Sequence, residues 1–484
     1  MRYNMPVLQK FREGLTLVLL AALPLHALAV TLFTKLIAGP GHSPMTILAL
    51  WKEALLAVIL FSAFIEILRT IKKLSFDRID LLILALIALS IIVTSYQLPV
   101  TSTRAFAMGF RYDFLPLIAF FILRRVSWSE AFQKNILKVL LGVGVIIAAY
   151  GIATFFLPLS FFTALGYSDL HSLYVPDGPL AAFQQIGGSA LRRIQSTMSG
   201  PNQFGLWLLI PVSILLAMIA TRLKIQDVRY KEDQRIKIKN LLSFKLLPSL
   251  YLVSFILVLA ALLLSFSRSA WVAAAVISAV AFLPHLSVKK IQGLAVALCA
   301  LVLVAAVAFP SLFLRFASSK GHIDRPLEAI QTMVAHPFGL GLGTAGPASN
   351  RTSDSCVMLQ PQDDPSWAIP HQQLCVFLGD KQVQPLDRVC NCPILTENWY
   401  LQIGVELGWI GMGLWILLTI VLLRSLYGRY KTEDGSLYLT SFILFLGLSI
   451  AALFLHSWED SAVAWTIWIL VATTLTTRKT SPHS

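Results

Sequence analysis

The chain has 484 residues, of which 56% are hydrophobic and only 13% charged, with a formal net charge of +14. A soluble domain carries about 25% charged residues, so this composition excludes an ordinary soluble protein. Apolar runs of roughly 17–25 residues recur along almost the whole length, which is the length of spanning helices rather than of barrel strands.

The net positive charge alone would suit a nucleic-acid partner, but its placement excludes one. Of the 39 Lys and Arg residues, 26 fall in seven segments: 1–14, 69–79, 124–138, 222–248, 285–290, 424–436 and 478–484. Basic-poor segments alternate with them, which is the positive-inside pattern and places the seven in the cytoplasm. The fold class expected is an all-α polytopic membrane helix bundle of about 12 transmembrane helices, with both termini cytoplasmic. In chain order the predicted spans are 15–38, 48–68, 80–97, 105–123, 136–157, 202–221, 249–266, 270–284, 291–310, 397–422, 437–456 and 461–477. Arg111 and Asp113 interrupt the fourth. The first run also admits a signal-peptide reading, since Ala27-Leu28-Ala29 resembles a cleavage site, but it continues to Ala38, beyond a usual h-region.

These spans divide the chain into helices 1–9 (1–310), a large extracytoplasmic loop between spans 9 and 10 (311–396), and helices 10–12 (397–484). Two shorter polar segments stand out, an outer loop at 158–201 and an inner loop at 222–248 with eight basic residues. The inner one reads as an anchor on anionic membrane lipid. The large loop is rich in Pro, Asp and Gln and too irregular for a separate large domain, although Pro326 to Ala335 has the pattern of a short helix. Cys299 lies in a span and reads as packing; Cys356, Cys375, Cys390 and Cys392 share the large loop, an even number that predicts disulfides of unassigned pairing. Zinc is the weaker alternative, because His371 alone adds little to the ligand set and paired Cys-x-x-Cys units are missing. No metal or cofactor is expected.

Four constellations carry chemistry. Arginines are depleted on the outer side by the charge rule, yet Arg104, Arg192, Arg193, Arg268, Arg315 and Arg325 lie there or at the interface. A guanidinium is a fork of donors that matches phosphate oxygens and stays charged, so such a group suits a diphosphate; snorkelling or ion pairs with Asp113, Asp324 or Glu328 are the structural alternative. A second feature is the tight, charged hairpin Ser265-Phe266-Ser267-Arg268-Ser269-Ala270-Trp271, whose plainer reading is a capped turn. The third, His336 to Gly346, contains Gly-x-Gly-x-x-Gly. A dinucleotide site is rejected because no strand precedes the glycines; they are expected to let backbone approach a helix or ligand. The fourth is the junction of loop and tenth span. Glu397 sits at a helix start, favoured there by the dipole, and Glu406, deeper in the span, needs a partner. His456, Glu459 and Asp460 cluster between the last two spans on the same side.

Over about 190–425 these residues resemble the O-antigen ligase and O-antigen polymerase superfamily of bacterial membrane glycosyltransferases. The resemblance rests on Arg193 ahead of Pro201-Asn202, the Ser-Arg-Ser-Ala-Trp hairpin, Arg325 followed by His-Pro-Phe-Gly-Leu-Gly, and the opening of the tenth span. In the ligases that opening is His, then Asn, Ser or Gln, nine residues, then Gly-x-x-Gly. Asn398, Gly408 and Gly411 fit; Glu397 stands where the ligases have His. The resemblance implies a bacterial inner-membrane enzyme that moves a glycan, without metal or nucleotide, from a polyprenyl-diphosphate carrier to a lipid, glycan or protein acceptor outside that membrane. It implies Arg193 and Arg325 as diphosphate ligands, Arg192, Arg268 and Asn398 as further binding residues, and Glu397 in the place of the catalytic His. An unperturbed Glu, at about 4.3 against about 6.5 for His, is the poorer base at neutral pH. His371 is the alternative base. Two other readings compete: a small-anion carrier, since some members of the superfamily are regarded as bicarbonate carriers, and a non-catalytic scaffold for envelope assembly.

Overall fold

The computed structural model describes residues 5–69, 76–97, 102–168, 178–186, 191–232, 249–282, 316–359, 364–366, 370, 372, 374–379, 381–433 and 435–477. The ninth predicted span, most of the basic 222–248 segment, Arg315 and His371 lie outside them.

The described chain is mostly helical. Its main helices are α1 (Met5–Ala22), α2 (His26–Ala38), α3 (Trp51–Leu68), α4 (Arg78–Gln97), α5 (Thr103–Gly109), α6 (Leu115–Leu123), α7 (Glu130–Phe156), α8 (Pro201–Glu232), α9 (Ser249–Leu264), α10 (Arg268–Phe282), α11 (Phe316–Ala335), α12 (Trp399–Thr432), α13 (Ser436–Ala451) and α14 (Ser461–Thr474). Among the described residues, seven helical stretches are long and apolar enough to cross a membrane: Val7–Ala38, Thr46–Leu68, Arg78–Gln97, Thr103–Leu123, Glu130–Phe156, Pro201–Arg222 and Trp399–Thr432. Helices α9, α10, α13 and α14 are apolar but shorter. The protein is therefore a helical membrane protein.

Packing follows the distribution of apolar surface. Helix α14 buries nearly every side chain, and α8 is buried on most of its surface; a helix apolar all round belongs inside a bundle. α13 packs on both α8 and α10, α12 packs on α4, and α14 packs on α6. Trp468 sits among Phe120, Phe445 and Trp458 at the centre of this core.

One end of the bundle is tied by buried ion pairs. Arg12 of α1 pairs with Glu66 of α3 at 2.7 Å, and Arg124 reaches Asp80 at 2.9 Å while Arg125 meets the same carboxylate at 2.7 Å. Thr477 donates its amide to the Arg124 carbonyl at 3.0 Å. Residues near 12, 66, 80, 124 and 477 thus share one end of the bundle. α7 starts there, with Glu13 accepting from the Ser129 hydroxyl at 2.8 Å, and α12 ends there, with Arg429 donating to the Thr476 carbonyl at 3.4 Å. The far ends of α7 and α12 accordingly lie at the opposite end. Beyond a break at Gly408, the longer arm of α12, from Trp409 to Thr432, spans about 36 Å.

Several boundaries differ from the sequence expectation. α8 runs to Glu232, so no loop begins at 222. α11 begins at Phe316 and continues through Pro326, where the proline had suggested a helix start. Between α5 and α6 the fourth predicted span contains a π-helical turn, Phe110–Phe114, that carries both of its charged residues. Arg111 pairs there with Glu53 through Nε at 2.9 Å, rather than with Asp113. In the large loop, β1 (Cys356–Leu359), β2 (Cys375–Leu378) and β3 (Lys381–Gln384) make a small sheet, β1 parallel and β3 antiparallel to β2. Nested disulfides Cys356–Cys392 and Cys375–Cys390 staple it.

Candidate functional site

The site is assembled at the end opposite the buried ion pairs. Its first part is the segment leading into α8. Arg193 donates from Nε to the Ser265 carbonyl at 3.2 Å, from Nη1 to Gln184 Oε1 at 2.9 Å and from Nη2 to Asn202 Oδ1 at 2.6 Å. These three neutral oxygens fix the guanidinium plane. Arg192 behaves differently: Nη1 donates to the Leu157 carbonyl at 2.6 Å and the guanidinium stacks 4.3 Å from the Phe183 ring, so it fastens the end of α7 to this segment.

The hairpin between α9 and α10 is the second part, and it is joined to the first. The Ile194 amide donates to the Leu264 carbonyl at 3.2 Å. Ser265 Oγ donates to the Leu262 carbonyl at 2.6 Å, and Trp271 Nε1 donates to the same oxygen at 2.8 Å. Gly205 of α8 lies against Ser265, Ser267 and Ala270, so the hairpin can approach α8 only because no side chain intervenes. Arg268 is the first residue of α10 and is partly buried.

The third part is formed by α11 and the start of α12. Arg325 Nη1 donates to Glu397 Oε1. His322, one helical turn before Arg325, places Nδ1 3.7 Å from the other Glu397 oxygen. Burial lowers the His322 pKa below its ordinary value; Glu397 opposes that shift, and the nearby charges of Arg268 and Arg325 reinforce it. The hairpin cation and the α11 pair therefore share one electrostatic neighbourhood. Asn398 caps α12: its Oδ1 accepts from the Leu401 amide at 3.0 Å, and Nδ2 donates to the Leu453 carbonyl at 3.0 Å. Glu397 stands just before the cap instead of in the first helical turn.

Backbone conformation marks the same three places. Among the described residues, the non-glycine positions with positive φ are Ser196 (53°), Phe266 (49°) and Glu397 (49°), one in each part. Such conformations cost of order 1–3 kcal/mol and persist only where surrounding contacts impose them, commonly at functional sites.

Behind the site, the glycine segment docks on a break in α12. Gly408 has φ 70° and ψ −175°, so the helix is interrupted there. The freed groups are met by the segment: the Leu340 amide donates to the Val405 carbonyl at 2.9 Å, Gly341 to Glu406 at 2.9 Å, and Trp409 to Pro337 at 3.2 Å. A Cβ on Gly339 would overlap the Glu406 carbonyl, and one on Gly343 would overlap the Ala105 carbonyl. Close backbone approach is thus what these glycines supply. The Glu406 carboxylate, which needed a partner, accepts the Gly343 amide at 2.8 Å. Its neighbourhood extends sideways: the buried carboxyl groups of Asp113 and Glu459 lie near it, Gln402 donates to Glu459, and His456 Nδ1 meets Gln402 Oε1. Asp460 instead caps α14, accepting from the Ala462 amide at 2.9 Å.

His322 was missed by sequence reasoning. Its signal was the i, i+3 spacing from Arg325, legible only once α11 is known to begin before Pro326. In comparison with known proteins, no family model and no curated protein matches the chain.

Proposed function

We propose that this protein is an O-antigen ligase- or polymerase-like glycosyltransferase of the bacterial inner membrane. It moves a glycan from a polyprenyl-diphosphate carrier to a lipid, glycan or protein acceptor on the extracytoplasmic side. The twelve-span topology with cytoplasmic termini belongs to this reading. One observation carries it: Arg193, Arg268, Arg325, His322 and Glu397 come from distant parts of the chain and gather at the end away from the cytoplasmic charge pattern.

The chemistry asks little of the protein beyond position and charge. The acceptor hydroxyl oxygen attacks the anomeric carbon, the bond from that carbon to the diphosphate oxygen breaks, and the hydroxyl proton passes to a base. The departing diphosphate keeps the bonding electron pair, and fixed guanidinium donors stabilise that developing charge. Arg325, half-exposed, and Arg268 are the groups placed to do so. Glu397 and His322 stand together where the ligases have a single His. A His held neutral by burial is ready to accept a proton at neutral pH, with Glu397 beside it to balance the resulting cation.

The test is reconstitution in vesicles with a polyprenyl-diphosphate glycan and a set of acceptors, scoring transferred glycan for wild type, Arg325→Ala and Glu397→Gln. Transfer by wild type that falls in both variants supports the reading. Unchanged activity in both defeats the site assignment, and no transfer to any acceptor defeats the function.

A carrier reading draws on a different observation, the closeness of three buried carboxyl groups, Asp113, Glu406 and Glu459. Anion uptake by the same vesicles without a lipid-linked donor would select it.

A further inference from the structure

We infer that α11 is a lipid-contacting helix whose outward apolar stripe lies against the acyl chains of the leaflet on the Glu397 side. The inference does not depend on the reaction catalysed.

The helix has three distinct faces. One packs on α12 and carries Ala329 and Met333, both buried, with His322 and Arg325 on its edge. Met333 fits against Gly404, where a Cβ would overlap its side chain. A second face carries polar residues, including Glu328 and Gln331, which are exposed. The third carries Ile323, Leu327, Ile330 and Val334, all exposed, at the i, i+4, i+7, i+11 spacing that puts them in one row. That row is about 16 Å long. A helix packed on one side by its own protein gains nothing from a second apolar face in water; such a face marks an interaction surface. The combination of an apolar stripe with a polar flank is that of a helix at a membrane boundary.

Continuity names the partner. Three residues past the end of α11, Phe338 is 71% exposed. Phe338 lies against Gly408, and the next residues of α12, Trp409 and Ile410, are exposed too. The outward apolar surface of α12 continues through Ile416, Leu417 and Ile420. α12 is among the helices long and apolar enough to cross a membrane, so its exposed apolar flank meets lipid. The α11 row is a prolongation of that flank. From Trp409 onward α12 retains enough residues to cross a hydrocarbon core of about 30 Å. The non-helical glycine segment that follows α11 meets the requirement for backbone near a bilayer, because its Leu340, Gly341 and Gly343 amides are bonded to α12 and its Leu342 amide to Thr94. Arg325 and His322 thereby stand at the lipid–water boundary, where a head group and a polar acceptor can both arrive.

The experiment is spin labelling of the full chain in phosphatidylethanolamine–phosphatidylglycerol vesicles, with single cysteines at Ile330→Cys, Val334→Cys, Glu328→Cys and Gln331→Cys in a Cys299→Ser background. Labels on the stripe should relax faster with oxygen and respond little to a water-soluble nickel chelate, and labels at 328 and 331 should show the reverse. Nickel access at all four sites would make the stripe aqueous and overturn the inference. Stripe labels shielded from both reagents would mean that protein, not lipid, covers them, which overturns it equally. A second measurement, quenching of bimane at the same cysteines by brominated lipid, should dim only the stripe positions.

Discussion

Arg325 and Glu397 are 72 residues apart and joined by a hydrogen bond between opposite charges in the candidate site. The pair couples α11 to the entrance of α12, and it sets a competition: a diphosphate oxygen that binds Arg325 must displace or share it with Glu397. Glu397→Gln removes the competitor's charge. Donor KM should stay level or fall while kcat drops, because the neutral amide cannot balance a protonated His322. Arg325→Ala should cost kcat about 10²–10³-fold, the size expected on losing one preorganised donor to developing charge. Equal losses of kcat/KM through KM alone in both variants would reduce the pair to a structural tie. These constants come from initial rates over a range of donor concentrations.

His322 predicts a pH profile. Burial holds its pKa below the ordinary 6.5, so the neutral, proton-accepting form is present above that lowered value and is lost as pH falls through it. The acid limb of kcat/KM should therefore lie below pH 6.5. His322→Gln should remove that limb and lower the rate about 10²–10⁴-fold, the range for general acid–base groups. The stability sign runs the same way: the unfolded chain takes up a proton on this residue at higher pH than the folded chain, so acidification below 6.5 weakens the fold. A limb that persists unchanged in His322→Gln would assign the base elsewhere.

The helical membrane class was legible because it depends on composition and run length, which survive any detail of packing. The break at Gly408 was not, since Gly-x-x-Gly in an apolar run looks the same whether a helix continues or stops; what decides is the Pro337–Phe338 backbone docked against it from a distant part of the chain. The glycines at 339–346 were readable as sites of close approach, while the partner they approach was not. The role of Asn398 illustrates the limit from the other side. The resemblance to the ligase opening implied that it binds substrate, whereas both ends of its side chain are engaged by backbone groups, a cap that any Asn at a helix start is able to supply. His456 and Glu459 were visible as a cluster, yet only the fold brings Gln402 between them.

Gly408→Ala should be among the most damaging single changes outside the charged site. Its φ of 70° with ψ of −175° is essentially reserved for glycine, and a Cβ would overlap the Pro337 carbonyl. The strain alone is of order 1–3 kcal/mol. Gly413→Ala, five residues on in the same helix, meets open space and is the matched control, expected to be neutral or mildly stabilising. Melting temperatures in detergent distinguish the two.

The disulfides should stabilise the loop sheet without being required for the bundle. Cys375–Cys390 closes a separation of 15 residues and Cys356–Cys392 one of 36. On the chain-entropy account these are worth about 3 and 4 kcal/mol to the loop. Reduction should therefore release protease sites within 354–392 while the helical circular dichroism and the melting of the bundle change little. Removing the outer bridge as a Cys356→Ser, Cys392→Ser pair should have the larger effect on protease sensitivity. Loss of helix on reduction would show instead that the sheet holds the bundle together.

Glu406 tests whether the glycine segment is fixed by its carboxylate or merely lies beside it. The carboxylate accepts the Gly343 amide at 2.8 Å within a buried setting, and its own backbone carbonyl accepts Gly341. Glu406→Ala strands the Gly343 donor without its acceptor, a loss of about 1–3 kcal/mol, and leaves a space beside Asp113. Glu406→Gln keeps an oxygen for Gly343 and nearly the same shape, so it should fold and melt close to wild type. If Ala and Gln variants melt alike, the hydrogen bond contributes nothing and the segment is held by its contacts to Thr94 and Gln97. Those contacts are the Leu342 amide on Thr94 Oγ1 at 3.2 Å and the Gln97 amide on the Gly339 carbonyl at 2.9 Å. Thr94→Val, which removes the acceptor at nearly constant volume, separates the two: it should add to the effect of Glu406→Ala only if each contact holds the segment independently.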